Sequence, residues 1–237
     1  MKIIQLLNTL KKYPIFNLLT IQKITKKDKP YSRLLIYRLK KKKLIYKIEK
    51  DKYTLSKDPF LIASRIIWPS YISCFSALRY YNLTEQLPQI IQIITTKKRR
   101  KRVLTFQKTK IKFITIKQRY FFGFNKVHYE NFEIFTAEPE KALIDAALFK
   151  DMSFSEIKDI LKSNLKEFNL NNLVKCLQKI KNKSLIKRFG YALSELNKDY
   201  YSKLRSYIDH NYVPLDYLLP NKGRKNEKWK ILDNIKW

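Results

Sequence analysis

Glu138-Pro139-Glu140-Lys141 is the one string in this chain whose spacing suggests an enzyme. Two carboxylates two positions apart can hold Mg²⁺, and an adjacent lysine can steady an attacking water, as in metal-dependent nucleases. Such a centre needs a further acidic residue converging from elsewhere, and the sequence does not show which. The string also follows a β-like run, 132–136, and opens a helix whose first turn favours acids in any case. Nothing else here assembles into catalysis. The two histidines, His128 and His210, and the two cysteines, Cys74 and Cys176, form no pair with metal-ligand spacing and no hydrolytic triad. With 3 glycines in 237 residues, no phosphate-cradling loop is present. No metal or cofactor is expected, and both cysteines fall in apolar helical patterns that suit buried free thiols.

The stronger chemistry is electrostatic. The formal net charge is +31, which opposes compaction unless a polyanion offsets it. Nucleic acid ranks first among partners, because neutralised phosphates release counterions. An acidic protein or an anionic membrane ranks lower, and a lysine- and isoleucine-rich composition of this kind also accompanies AT-rich genomes. Residues 1–58 hold 17 Lys+Arg and 4 Asp+Glu, the remainder 34 and 16, so the first segment is about twice as basic per residue.

Residues 30–55 concentrate this charge in an ordered pattern. Leu34, Leu35 and Leu39 recur at helical spacing amid Arg33, Arg38, Lys40, Lys41 and Lys42. Strand-like alternation over 44–48 follows, then a turn at Lys50-Asp51, then Tyr53 and Leu55. A basic amphipathic helix feeding a short hairpin is the pattern of a winged helix-turn-helix; a solvated lysine-rich helix on any small domain is the plainer alternative. In the winged-helix reading Tyr31, Ser32, Arg33 and Tyr37 reach base edges. Lys26, Lys27 and Lys29 meet phosphates, Lys50 and Lys52 flank the wing tip, and Arg38 and Lys41 complete the DNA-binding set. A second run, Lys97, Lys98, Arg99, Arg100, Lys101 and Arg102, reads as an exposed hairpin tip and a candidate second anion-binding patch.

The elements that would carry these residues make an α+β chain. Helices over 2–11 and 16–25 precede the basic helix, completing a winged helix-turn-helix domain over 1–57. A polar, proline-bearing break at 56–59 leads to a mixed α/β domain over 58–237, with a small sheet at about 89–136 and helices at about 138–209. A helix is expected at 60–67 and another within 70–83, with Ser73 as N-cap and Asn82 at its end. Strands are expected at 89–95, 112–117, 120–124 and 132–136, in a mixed or antiparallel sheet. The helix over 137–149 carries Asp145 amid apolar residues, which calls for a lysine or arginine partner from a neighbouring element. Further helices at 155–162, where Ser153 and Glu156 fit a capping box, and at 171–181, 184–197 and 200–209 precede an irregular tail that ends in a short β-like run, and Gly190 suggests close packing. The N-terminal apolar run is broken by Gln5 and Asn8, so no signal peptide, no membrane span and a cytoplasmic location are expected.

Beyond these patterns, Ser70-Tyr71-Ile72-Ser73, Ser76-Ala77-Leu78 and Tyr80-Tyr81-Asn82-Leu83-Thr84-Glu85 resemble the opening of the C-terminal domain in the AbiEi family of antitoxins. Thr136-Ala137-Glu138-Pro139-Glu140-Lys141-Ala142-Leu143-Ile144-Asp145 is similar to that family's A-x-P-E-K-A-L-x-D string. Tyr212-Val213-Pro214-Leu215-Asp216, Gly223 and Trp229 resemble its closing segment. The resemblance implies a cytoplasmic autorepressor of a two-gene toxin–antitoxin operon, binding promoter inverted repeats through its winged helix. Its C-terminal domain would counter a cognate nucleotidyltransferase-like toxin, in many members without a stable complex. Asn82 stands where such sequences often have glycine, and the run 97–102 is more basic than the family pattern. A winged-helix nuclease centred on Glu138, Glu140 and Lys141, or a stand-alone regulator with a ligand or dimerisation domain, are the alternatives.

Overall fold

The computed structural model describes residues 3–85 and 89–235; Lys2, where the first helix was expected to begin, lies outside the described residues. Helices α1 (Ile3–Leu10), α2 (Leu18–Thr25) and α3 (Lys29–Lys41) are followed by a hairpin of β1 (Tyr46–Glu49) and β2 (Lys52–Thr54). Each boundary has a local cause. Asn17 caps α2, its Oδ1 accepting from Thr20 N at 2.9 Å. Lys26 closes α2 in the left-handed conformation, φ 52°. Asp28 caps α3, accepting from Tyr31 N at 3.0 Å. Leu6, Leu10, Phe16, Ile21, Ile36, Leu39 and Ile45 form one buried cluster beneath these elements. Phe16 and Tyr53 exchange backbone hydrogen bonds of 2.9 and 2.8 Å, so the segment before α2 adds a third edge to the hairpin.

The chain forms two compact units. The first joins Met1–Tyr71 to Gln89–Thr115 and Lys126–Phe135, and the second joins Ile72–Pro88, Ile116–Asn125 and Thr136–Trp237. The expected boundary at 57/58 therefore falls inside the first unit. Helix α4 (Pro59–Arg65) begins there, with both Asp58 carboxylate oxygens accepting, from Phe60 N at 2.8 Å and Leu61 N at 3.2 Å.

A six-stranded sheet runs in the order β5-β6-β4-β3-β8-β7. Its strands are β3 (Ser70–Ile72), β4 (Ile90–Thr95), β5 (Val103–Phe106), β6 (Thr109–Thr115), β7 (Phe124–Tyr129) and β8 (Phe132–Ala137). β4 pairs parallel with β6 from Ile90↔Lys110 to Thr95↔Thr115, β5 pairs antiparallel with β6, and β3 pairs parallel with β8 at Ile72↔Thr136. The sheet is mixed, as one of the two expected arrangements had it, and larger than expected.

Three local readings change. Residues 97–102 are not a hairpin tip. They connect β4 to the edge strand β5, and the adjoining hairpin turns instead at Gln107, whose φ is 53°. The strand expected at 120–124 is a 3-10 turn, Gln118–Tyr120, followed by Gly123 at φ +70°. That conformation breaks an extended run, and a Cβ there would meet Lys141 Cγ at 3.0 Å, so the strand starts only at Phe124. The helix expected within 70–83 is preceded by β3 and comprises α5 (Cys74–Tyr80), with Asn82 left-handed after it at φ 57°.

The second unit continues through α6 (Pro139–Leu148), α7 (Phe154–Ser163), α8 (Leu170–Ile180), α9 (Lys183–Glu195) and α10 (Tyr201–Leu204). The expected capping box of Ser153 and Glu156 is present on α7. The tail is more regular than expected, forming a three-stranded sheet in the order β10 (Arg224–Asn226), β11 (Ile231–Asp233), β9 (Val213–Pro214). Gly190 packs closely, since a Cβ on it would fall 2.0 Å from Trp229 Cζ3. The architecture is α+β, and no helix among the described residues is long and apolar enough to cross a membrane.

Candidate functional site

Helix α3 has two faces set by its sequence. Ser32, Ile36 and Leu39, spaced four and three apart, turn inward and are buried. Tyr31, Arg33, Leu34, Tyr37, Arg38, Lys40 and Lys41 are exposed, Tyr37 by 61%. Two tyrosines and a leucine thus stand exposed beside a dense set of cations. Lys26 and Lys27 lie exposed in the turn before α3, and Lys29 lies exposed in its first turn.

Ser32 departs from the expected set. Its side chain is fully buried, so it reaches no partner outside the fold, and its hydroxyl finds no hydrogen-bond partner among the described residues. Ser32→Ala is expected to keep the unfolding free energy or raise it by up to about 1 kcal/mol, because an unpaired buried hydroxyl costs desolvation. Thermal unfolding checks this, and a clear loss of stability would show that the hydroxyl is paired after all.

The hairpin tip lies across a cleft from α3. Lys50 at the tip and Lys29 and Arg33 on α3 border this cleft of about 490 Å³, floored by Ile36 and Tyr53. Asp51, left-handed at φ 53°, fixes the tip by accepting from Leu18 N at 3.0 Å. Sequence reasoning placed Asp51 in a turn and missed this pin.

Lys52 points elsewhere. Its ammonium donates to Ile66 O at 2.6 Å and pairs with Glu49 Oε1 at 2.8 Å, so it serves the fold and is not presented at the tip. A bulge between Lys47 and Glu49 sets the direction of the Glu49 side chain. The other Glu49 oxygen pairs with Arg99 at 2.7 Å. Partial burial would raise the Glu49 carboxyl, but hydrogen bonds from Arg99 and Lys52 outweigh it and hold the group below its ordinary value. The pairing is therefore intact at neutral pH and is lost as pH falls through that depressed value. Glu49 is the sole acid between Asp28 and Asp51; a lone carboxylate in so basic a stretch is the signal that could have found it.

The run 97–102 divides the same way. Lys97, Lys98, Arg100, Lys101 and Arg102 are exposed, whereas the Arg99 guanidinium lies 4.1 Å from the Phe113 ring centroid and is 14% exposed. The site thus presents ammonium and guanidinium donors, with tyrosines among them on α3.

In the second unit, Glu138 and Glu140 are structural acceptors. Glu138 accepts from Asn125 Nδ2 at 3.0 Å and Asn172 Nδ2 at 2.9 Å. Glu140 accepts from Asn169 N at 2.6 Å and Asn172 Nδ2 at 3.1 Å. Lys141 is fully buried and pairs with Asp145, one turn along α6, while Ser73 donates to the other Asp145 oxygen at 2.8 Å. Asp145 thus finds its lysine on its own helix, where a neighbouring element was expected to supply it. Among the described residues no group of three or more His, Cys, Asp or Glu is placed to hold a metal ion. Both cysteines are buried thiols outside any disulfide among the described residues, and burial pushes the Cys176 thiol up to about 11. No protein-family model and no curated protein matches this sequence.

Proposed function

We propose that the chain is a double-stranded DNA-binding autorepressor and antitoxin. In this reading residues 1–57 form a winged helix-turn-helix, with α2 and α3 as the helix pair and β1–β2 as the wing. The outer face of α3 carries the proposal: Arg33, Tyr37 and Tyr31 stand exposed where a major groove would receive them, and Ile36 and Leu39 hold the helix from behind. Asp28 fixes the first turn of α3, so the side chains that would read bases project from a rigid end. Lys26, Lys27, Lys29, Arg38 and Lys41 would meet flanking phosphates, and Lys50 would lie on the backbone from the far side of the cleft. Occupancy of inverted repeats in its own promoter would exclude transcription of the operon.

The antitoxin half rests on the resemblance of 70–85, 136–145 and 212–229 to the AbiEi pattern. The second unit would counter a nucleotidyltransferase-like toxin encoded beside it, in the cytoplasm. One experiment reads both halves: co-expression of this chain with the adjacent gene product, scoring growth and a reporter on the shared promoter. Full-length chain should rescue growth and silence the reporter. A chain carrying Arg33→Ala and Tyr37→Ala should rescue growth with the reporter derepressed. Such a variant is a better probe than deletion of residues 1–56, which would cut through the first unit. Full-length chain that neither rescues growth nor silences the reporter sinks the proposal.

A further inference from the structure

The basic run 97–102 is a fixed loop. At its start Lys97 N donates to Thr95 Oγ1 at 3.1 Å. Thr115 Oγ1 donates to Lys97 O at 3.4 Å. At its end Phe113 N donates to Arg102 O at 2.7 Å. Between them Arg99 is held on two sides, by the Glu49 carboxylate and by the Phe113 ring. Arg99 is thereby spent on the fold, and the five cations around it are presented on a backbone with little freedom to move. Because Glu49 ends β1, directly before Lys50, this loop lies beside the hairpin tip. The cleft that Lys50 shares with Arg33 makes α3, the tip and the run successive neighbours. The Glu49–Arg99 pair thus ties together two basic patches that lie far apart in sequence.

Resting on the DNA-binding reading above, we propose that Lys97, Lys98, Arg100, Lys101 and Arg102 extend the wing into a continuous track for duplex phosphates, held in place by the Glu49–Arg99 tie. The track carries no base-reading geometry of its own: lysines and arginines on a loop contact phosphates without regard to sequence. Its contribution is affinity and length of contact on the DNA that flanks the α3 site. Holding the loop rigid lowers the ordering cost of each contact on binding.

The test uses the full chain on its promoter duplex and on a random duplex, across a series of salt concentrations with hydroxyl-radical footprinting. The variant Lys97→Gln/Lys98→Gln/Arg100→Gln/Lys101→Gln should lose affinity for both duplexes alike, by about ten- to a hundredfold. Its log–log salt slope should be shallower by about 2–4, and protection should shorten on one flank. Glu49→Ala separates a tether from a mere charge. Removing an acid raises the net positive charge, so charge alone predicts tighter binding with the footprint unchanged; a tether predicts that flank protection is lost. Unchanged slope and footprint in the quadruple variant, alongside weakened binding by Arg33→Ala/Tyr37→Ala, would overturn this inference and leave the DNA-binding reading standing. No binding of either duplex by the unaltered chain would overturn both. A larger loss for structured RNA than for duplex DNA would assign the run to RNA instead.

Discussion

Replacing Asp145 by alanine is expected to cost the second unit about 3–5 kcal/mol of unfolding free energy, the range seen when one partner of a buried ion pair is removed. Lys141 is 0% and Asp145 1% exposed. With the carboxylate gone, the ammonium loses the partner one turn away and Ser73 loses its acceptor. Stabilities of domains run at about 5–15 kcal/mol, so such a loss is a large fraction of the whole. The companion change is the informative one. Lys141→Met together with Asp145→Ala removes both charges and should recover most of the loss, because a buried pair often contributes little net energy over an apolar replacement. Chemical unfolding of both variants, followed by a probe in the second unit, gives the comparison. A single-variant cost below about 1 kcal/mol would mean that the second unit does not depend on this buried pair.

That pair also bears on what the string 136–145 is for. Glu138 and Glu140 bind Asn125, Asn169 and Asn172 and thereby tie the start of α6 to α8 and to strand β7. Lys141 and Asp145 close the ion pair beneath α5 through Ser73. Asp216 accepts from Ser155 N at 2.9 Å and donates its own N–H to Asn234 Oδ1 at 2.8 Å, fastening α7 and the chain end. Gly223 has only room for hydrogen, since a Cβ would fall 1.8 Å from Asp233 O. The residues that carry the resemblance are thus largely those that build the second unit. A pattern of this kind specifies a fold more directly than it specifies what the fold acts on.

The same contrast explains what was legible beforehand. Helices α1 to α3 and α6 to α9 announce themselves through local apolar spacing, and α7 also through its Ser153 cap, whereas the caps Asn17 and Asp28, though local, were not read as such. Strand β3 has three residues and takes its partner at Thr136, so no local periodicity reveals it. The strand order depends on such distant pairings, and so do the two units, each built from segments that the other interrupts. At the site, exposure of Arg33 and Tyr37 follows from helical phase, but the same phase turns Ser32 inward, one position away. The meeting of Glu49 with Arg99 spans 50 residues and has no trace in spacing. Composition showed that the charges were there, and only the fold shows which are spent on internal pairs.

Arg33→Ala with Tyr37→Ala is the sharpest test of what the exposed charges do. On the promoter duplex at fixed salt, affinity is expected to fall about 10- to 1,000-fold. Each good base-edge contact is worth about 1–3 kcal/mol of discrimination, and every 1.4 kcal/mol is tenfold. Both side chains are exposed and outside the buried cluster under α3, so the melting temperature should stay put. The loss should be selective: binding to random duplex rests on phosphate contacts, which Lys26, Lys27, Lys29 and Lys50 retain, and should fall much less. Equilibrium binding to both duplexes decides the matter. Equal weakening on both would make Arg33 a phosphate ligand and move base reading to another part of α3. Unchanged affinity on both would mean that the tyrosine-bearing face of α3 is not in the groove, and its exposed apolar surface would then belong to a different partner.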